Sequence, residues 1–266
     1  MPEAPRVLIT GAASGIGAAA AGALRARGAR VVGLDLDPRG EDIVECDVRL
    51  QDSVNSAVGE GIERLGGLDV LINNAGIGPT QSAGAPPGAD ARAALDVNLL
   101  GPWRVTAAAL PTLRATRGRI VNVASGLAYV SVPFAPAYCA SKRGLVAYSD
   151  ALRLEHGEAI PVTTVYPGYI RTPIHTASQE EGFALEGVIP AEPLDSAAET
   201  LVRAALGPRR RDLATTRSGT ALYLLARTSP RRIVDSVISG AVRRSARRGR
   251  FDRSALAREF VERARA

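Results

Sequence analysis

Four short runs dominated by apolar residues, at 6–10 (RVLIT), 68–72 (LDVLI), 119–123 (RIVNV) and 162–166 (VTTVY), are separated by stretches of helical periodicity. That alternation constrains the fold more than any other feature. A strand with one face in water alternates apolar and polar residues, whereas a continuous apolar run is buried on both faces. Strands of that kind joined by helices build a doubly wound α/β sheet, its parallel strands covered by helices on both sides. Weaker strand patterns lie at 31–36 and 43–48, and helical spacing at 16–27, 53–65, 91–116 and 138–156. No repeat or linker divides residues 1–206. The expectation is therefore one domain over 1–216, with residues from about 173 to 206 as a lid, and a separate helical extension over 217–266. Only 4% of residues are aromatic against 46% apolar, so the core must rest on Val, Ile, Leu and close Ala and Gly packing.

The turn after the first strand reads Thr10-Gly11-Ala12-Ala13-Ser14-Gly15-Ile16-Gly17. Glycines there let the backbone turn tightly and approach a pyrophosphate, and the helix that follows offers free N–H donors and a favourable dipole. The spacing G-x-x-x-G-x-G differs from the common G-x-G-x-x-G fingerprint. Asp35 ends the second strand, 18 residues after Gly17, where a carboxylate can hold both ribose hydroxyls of an adenosine and repel a 2′-phosphate. This favours NAD; Arg39, close by in sequence, keeps NADP open as an alternative. Asp47, with Val48 beside it, is placed to meet an adenine or simply to close a turn. Cys46 and Cys139 lack metal-ligand spacing and read as reduced core thiols of a cytoplasmic protein, with no metal expected.

Tyr138 and Lys142 stand four apart in a helical pattern and so share one face. An ammonium beside a phenol lowers the phenol's pKa toward a usable general base. Ser125 lies 13 residues earlier, just beyond a strand end, where a doubly wound sheet binds ligands. Lys142 is the only lysine among 33 basic residues, and a compact ammonium does what a wide guanidinium cannot at paired hydroxyls. The set TGAASGIG, Asn73-Asn74-Ala75-Gly76, Asn98, Ser125, Tyr-x-x-x-Lys and Pro167-Gly168 resembles the short-chain dehydrogenase/reductase family over about residues 5–206. The resemblance implies a Rossmann fold and hydride exchange between a nicotinamide and a secondary alcohol or ketone. It implies that Tyr138 exchanges the substrate proton, Lys142 binds the nicotinamide ribose, Ser125 bonds the reacting oxygen, and Asn98 holds a water linking Lys142 to solvent. Gly11, Ser14, Gly15, Ile16 and Gly17 would cradle the phosphates. Asn74, Ala75 and Gly76 would line the adenosine side, and Pro167, Gly168, Ile170 and Thr172 would seat the nicotinamide.

For the substrate, Leu127, Tyr129, Phe134, Tyr169 and Phe183 are candidate liners, suited to an apolar alcohol or ketone of steroid, alicyclic or lipid-like type. His175 reads as a solvated loop histidine. Residues 120–141 contain no charge for 22 positions, yet Asn122, Pro133 and Pro136 argue against a membrane span, and no leader pattern opens the chain. The basicity sits at the end: residues 1–206 carry 17 basic and 22 acidic side chains, residues 207–266 carry 16 and 5. In that tail Ile233, Val237 and Ala241, with Val234, Ile238 and Val242, form an apolar stripe at helical spacing, and a last helix is expected over 254–264. The ending lacks the family's usual Val-Asp-Gly-Gly-like stretch. The tail reads as an extension packed on the domain or on a second subunit of a homo-oligomer (dimer or tetramer), with peripheral membrane contact through 231–265 as the alternative. No base-reading motif accompanies the charge, so no nucleic acid is expected. An NADPH-dependent ketone reductase and a non-enzymatic nucleotide-binding regulator using the basic tail stand as the competing functions.

Overall fold

The computed structural model describes residues 4–40, 42–180 and 191–265. Seven parallel strands are ordered β3-β2-β1-β4-β5-β6-β7. They are β1 (Arg6–Thr10), β2 (Arg30–Asp35), β3 (Ile43–Glu45), β4 (Val70–Asn73), β5 (Arg119–Val123), β6 (Val162–Tyr166) and β7 (Asp212–Ala214). Their continuous apolar character has the expected cause. In β1, Leu8 packs on one face of the sheet with α2 (Gln51–Leu65) and α4 (Gly101–Thr116), while Val7 and Ile9 pack on the other with α1 (Gly15–Arg25) and α7 (Leu194–Leu206). On that second face Ala20, Ala21, Ala198, Ala204 and Ala205 are buried. Small side chains let α1 and α7 approach closely, which is how a core forms with so few aromatic rings. Of the expected lid, residues 194–206 are therefore core: they form α7, buried against α1.

The strand order reverses between β1 and β4, and the loops after the strands splay apart there to open a crevice. The glycine turn sits at this point. Gly17 has no room for a side chain, because a Cβ would lie 1.9 Å from the Gly11 carbonyl oxygen. Gly11 itself has φ of +67°, a backbone conformation that glycine adopts without strain.

One departure from the sequence reading matters. The stretch expected as one helix over 91–116 is three pieces: α3 (Ala89–Leu95), a π-helical turn (Asp96–Leu100) and α4. Asn98, fully buried, donates to the Ile77 carbonyl at 2.9 Å and to Ser141 Oγ at 3.0 Å, and accepts from the Ile77 N–H at 2.9 Å. The widened turn accompanies that tertiary pairing. The uncharged run 120–141 becomes β5, a 3₁₀ turn (Gly126–Ala128) and the start of α5 (Pro136–His156). Among the described residues no helix is long and apolar enough to cross a membrane.

A short helix, α6 (Thr176–Glu180), follows β6, and after β7 come α8 (Arg217–Thr228), α9 (Arg231–Arg247) and α10 (Arg258–Arg265). Val242, Ala246, Phe251, Ala257, Val261 and Ala264 form a small core of their own, joined to the loop after β5 through Phe134, whose ring meets Phe260 edge-on at 5.9 Å. The last helix starts later than expected, and the apolar stripe of α9 is only partly buried. Val242 is inside, whereas Ile233 and Val237 are 57% and 64% exposed.

Gly17→Ala tests the turn. With a Cβ forced onto the Gly11 carbonyl, overpacking is expected to lower the unfolding free energy by about 2 kcal/mol, read from urea denaturation without nucleotide. Wild-type stability in this variant would show that the turn can relax.

Candidate active site

One cavity of about 820 Å³ runs across the strand ends. Gly11, Ser14, Gly15 and Ile16 line it, as do Asp35, Asp47, Val48, Asn74, Ala75, Gly76, Ser125, Leu127, Tyr138, Lys142, Pro167, Gly168, Tyr169, Ile170 and Thr172. Of the residues expected to hold a cofactor, Gly17 alone is not in the wall; it is buried behind the turn, where it permits the turn's shape. Strands β1 and β4 lie between Asp35 on β2 and Ser125 after β5. Three strand spacings separate these ends, about 14 Å, a span suited to a dinucleotide.

The individual groups fit that ligand. Ser14 caps α1 without a side-chain bond to its amides, and the first turn of α1 contains no acid, so the helix start is open to an anion. Asp35 is held in place: its Oδ2 accepts from the Ala13 N–H at 2.8 Å and its Oδ1 from the Asp37 N–H at 3.2 Å. Asn74 Nδ2 donates to the carbonyls of Thr10 and Gly11 at 3.0 and 3.1 Å, and so ties the β4 loop to the glycine turn. Arg39 is turned to Asp37 at 2.8 Å and Arg49 to Asp47 at 2.6 Å. That second pairing holds the Asp47 carboxyl below its usual range, chiefly through the hydrogen bonds from Arg49.

Tyr138 and Lys142 rise from successive turns of α5, as their spacing requires. Lys142 is 3% exposed, and its Nζ donates to the Val123 carbonyl at 2.9 Å. Among the described residues that carbonyl is its only hydrogen-bond acceptor, so donors remain in a buried ammonium that lines the cavity. Paired ribose hydroxyls would satisfy them. Burial pulls Lys142 down to about 8. Burial also pushes Tyr138 up to about 12, with hydrogen bonding to Ser125 opposing the rise. The expected depression of the Tyr138 pKa is therefore not present in the protein alone. The ammonium is bonded to Val123 and lies 5.8 Å from the centre of the Tyr138 ring, and desolvation of the phenolate dominates. Asn98 lies behind the cavity wall; its Oδ1 and Lys142 Nζ both face Gly76, at 3.3 and 3.5 Å from where a Cβ would sit.

Several expectations change. Tyr129 does not line the cavity. Its ring packs against Tyr223 at 5.3 Å and Tyr166 at 5.8 Å, on the far side of that cluster. Phe134 is likewise absent from the cavity, because its ring belongs to the small C-terminal core. Phe183 lies outside the described residues. His175 is not a solvated loop residue: it lines the cavity, its ring is 4.7 Å from that of Tyr169, and burial lowers its pKa. The lining that sequence reasoning missed comes from the tail. Tyr223 and Ala226 of α8 and Val237, Ile238 and Ala241 of α9 complete the wall with Val130 and Ile174. Glu192 was also missed. Its carboxylate accepts from the Gly168 N–H at 3.0 Å, from Thr216 Oγ1 at 2.6 Å and from Thr215 Oγ1, joining the loop after β6 to the start of α8. The stripe on α9 was a usable signal for the first group; an isolated acid between prolines offered none for Glu192.

Residues 5–182 match the short chain dehydrogenase family. The chain belongs to that family. Among curated relatives of this short chain dehydrogenase, an L-fucose dehydrogenase of Bos taurus is 35% identical over 63% of this chain and 67% of its own length. Retinol dehydrogenase 16 of Homo sapiens is 40% identical over 63% of this chain and 57% of its own. In shape it is similar to a short chain dehydrogenase of Burkholderia cenocepacia solved with NADP, with a TM-score of 0.75, 25% identity and coverage of 90% of this chain and 99% of that one. A 3-ketoacyl-(acyl-carrier-protein) reductase of Brucella melitensis solved with NADH gives a TM-score of 0.70 at 27% identity, covering 80% and 97%. The protein is thus an oxidoreductase of alcohols or the matching carbonyls, in a family that binds nicotinamide cofactors.

The titration of Lys142 gives a checkable sign. Its pKa is about 8 when folded and about 10.4 when unfolded, so between those values the unfolded chain holds more protons. Stability without nucleotide should therefore rise with pH in that window as the cost of the buried charge is relieved. Urea midpoints across the window should climb in wild type and lose this component in Lys142→Met. Equal slopes in both proteins would show that Lys142 is not forced to titrate there.

Proposed function

We propose that this short chain dehydrogenase interconverts an apolar secondary alcohol and its ketone, using NAD in preference to NADP. The observation that carries the reading is the single cavity in which Asp35 lies toward one end and Ser125, Tyr138 and Lys142 toward the other. When bound, a nicotinamide supplies the two-electron acceptor or donor. The chain's own residues do the rest. The glycine turn and the start of α1 hold phosphates, Asp35 holds the adenosine ribose, and Lys142 holds the second ribose. Ser125 hydrogen-bonds the substrate oxygen and fixes the reacting carbon, and Tyr138 takes the hydroxyl proton in oxidation or returns it in reduction.

In this reading the high Tyr138 pKa of the protein alone favours the neutral phenol, ready to donate in reduction. Oxidation needs Lys142 to stay protonated and stabilise the phenolate. Preference for NAD rests on Asp35, a carboxylate fixed by two backbone N–H groups, beside which a 2′-phosphate is repelled. The apolar substrate class rests on Leu127, Val130, Ile174, Tyr223 and Ile238 in the wall. Relatives named for L-fucose and for retinol span both polarities, and this lining suits the second. A homo-oligomer accords with Trp103 on α4 and Leu154 on α5, which are 54% and 89% exposed. Two buried free thiols accord with a reducing cytoplasm.

A panel of secondary alcohols followed at 340 nm with NAD and NADP in parallel tests this reading. Tyr138→Phe should lower kcat by about a thousandfold while cofactor Kd stays within a few-fold. Full activity in that variant would overturn the assigned chemistry. Asp35→Ser should weaken NAD and improve NADP, moving their affinity ratio by on the order of tenfold or more. An unchanged ratio would show that Asp35 does not set the preference.

A further inference from the structure

A second, smaller cavity of about 340 Å³ lies at the elbow between α8 and α9, sharing Ala226 with the first and lined also by Tyr129, Arg143, Arg227, Ser229 and Arg231. Three guanidiniums converge on it. Arg143 Nε donates to the Ala128 carbonyl at 2.8 Å and Arg231 donates to the Tyr129 carbonyl, so backbone dipoles hold both in place. Arg227 donates to Tyr223 Oη at 2.7 Å and pairs with Asp212 at 3.0 Å. Asp212 also faces Arg211 at 3.4 Å and Arg153 at 3.9 Å. Asp150 pairs with those two at 2.7 and 2.5 Å, so two acids stand against five arginines around the notch. The 17-residue helix α9 begins at the same place, with no acid in its first turn, and its dipole adds to the positive field. The chemistry of the notch asks for a phosphate-type anion.

The surroundings of the notch select the source of that anion. Leu224 and Leu225 on α8 and Ile233 and Val237 on α9, the two helices that meet at this elbow, are each at least half exposed. A free phosphate or a nucleic acid backbone would leave those side chains in water. An anionic bilayer takes both, with cations among headgroups and apolar side chains at the acyl boundary. From 217 to 266 the sequence carries 13 arginines against four acids, so the surrounding field has the matching sign. Val237 also lines the larger cavity, so the exposed apolar surface of α9 reaches its rim.

We propose that the α8–α9 elbow docks on an anionic phospholipid surface, with a headgroup phosphate in the Arg143–Arg227–Arg231 notch and Leu225 and Ile233 in the acyl boundary. Docking would bring the cavity rim to the lipid, the phase in which an apolar alcohol concentrates; this last clause alone rests on the substrate class proposed above. Co-sedimentation of the full chain with vesicles tests docking without substrate or cofactor. Binding is expected to phosphatidylglycerol-containing vesicles, not to pure phosphatidylcholine, and should weaken with salt. Arg143→Gln with Arg231→Gln should weaken it on the order of tenfold. Leu225→Asn with Ile233→Asn should weaken it similarly, with the melting temperature and the kcat on a water-soluble alcohol unchanged. No vesicle binding at low salt overturns the proposal. So does binding that the arginine pair weakens and the apolar pair leaves untouched, or binding of inorganic phosphate or duplex DNA in place of vesicles.

Discussion

A parallel sheet buried on both faces leaves its strand ends as the place where polar chemistry can meet solvent, and everything functional in this protein depends on that constraint. The helices on its two faces exclude ligands from the strand surfaces. At the reversal between β1 and β4 the connecting loops part, and the free donors of α1, the carboxylate of Asp35 and the end of β5 all open into one space. Aligned strand ends put chemically unrelated groups side by side although they lie far apart in the chain.

Within that space a buried ammonium sets the electrostatics. Lys142 gives up water for one carbonyl of β5, so its charge is costly in the protein alone and is stabilised by whatever hydroxyls enter the cavity. The phenol one turn before it is likewise disfavoured as an anion by burial. The same desolvation thus disfavours the charged form of both groups. In the proposed mechanism a bound ribose and substrate supply the polar partners that let charge return. The C-terminal helices serve this arrangement by closing the wall, and the arginines among them give the outer surface of the same elbow a different chemistry.

Much of the site was legible because its logic is local. A glycine turn must precede a helix, two residues four apart must share a helical face, and an acid at a strand end must face the crevice; none of these needs knowledge of distant neighbours. Tyr129 and Phe134 show the limit. Both follow Ser125 closely, and proximity in sequence made them plausible liners. Their rings were claimed instead by Tyr166 and Tyr223 in one case and by Phe260 in the other. Asn98 shows a second limit, since a buried amide bonded to Ile77 and Ser141 accompanies a widened helical turn where periodicity reads one continuous helix.

Taken alone, the sequence determined the strand runs, the glycine turn, the Tyr138–Lys142 face and the basic imbalance of the tail, because each is written in residue type and short-range spacing. Tertiary structure decided the rest. It recruited Tyr223, Val237 and Ile238 to the cavity wall, bound Glu192 to Gly168, packed His175 against Tyr169, and left Ile233 exposed. It also reversed the expected direction of the Tyr138 pKa. Desolvation and packing depend on which distant segments arrive at a position, and spacing along the chain carries no record of that.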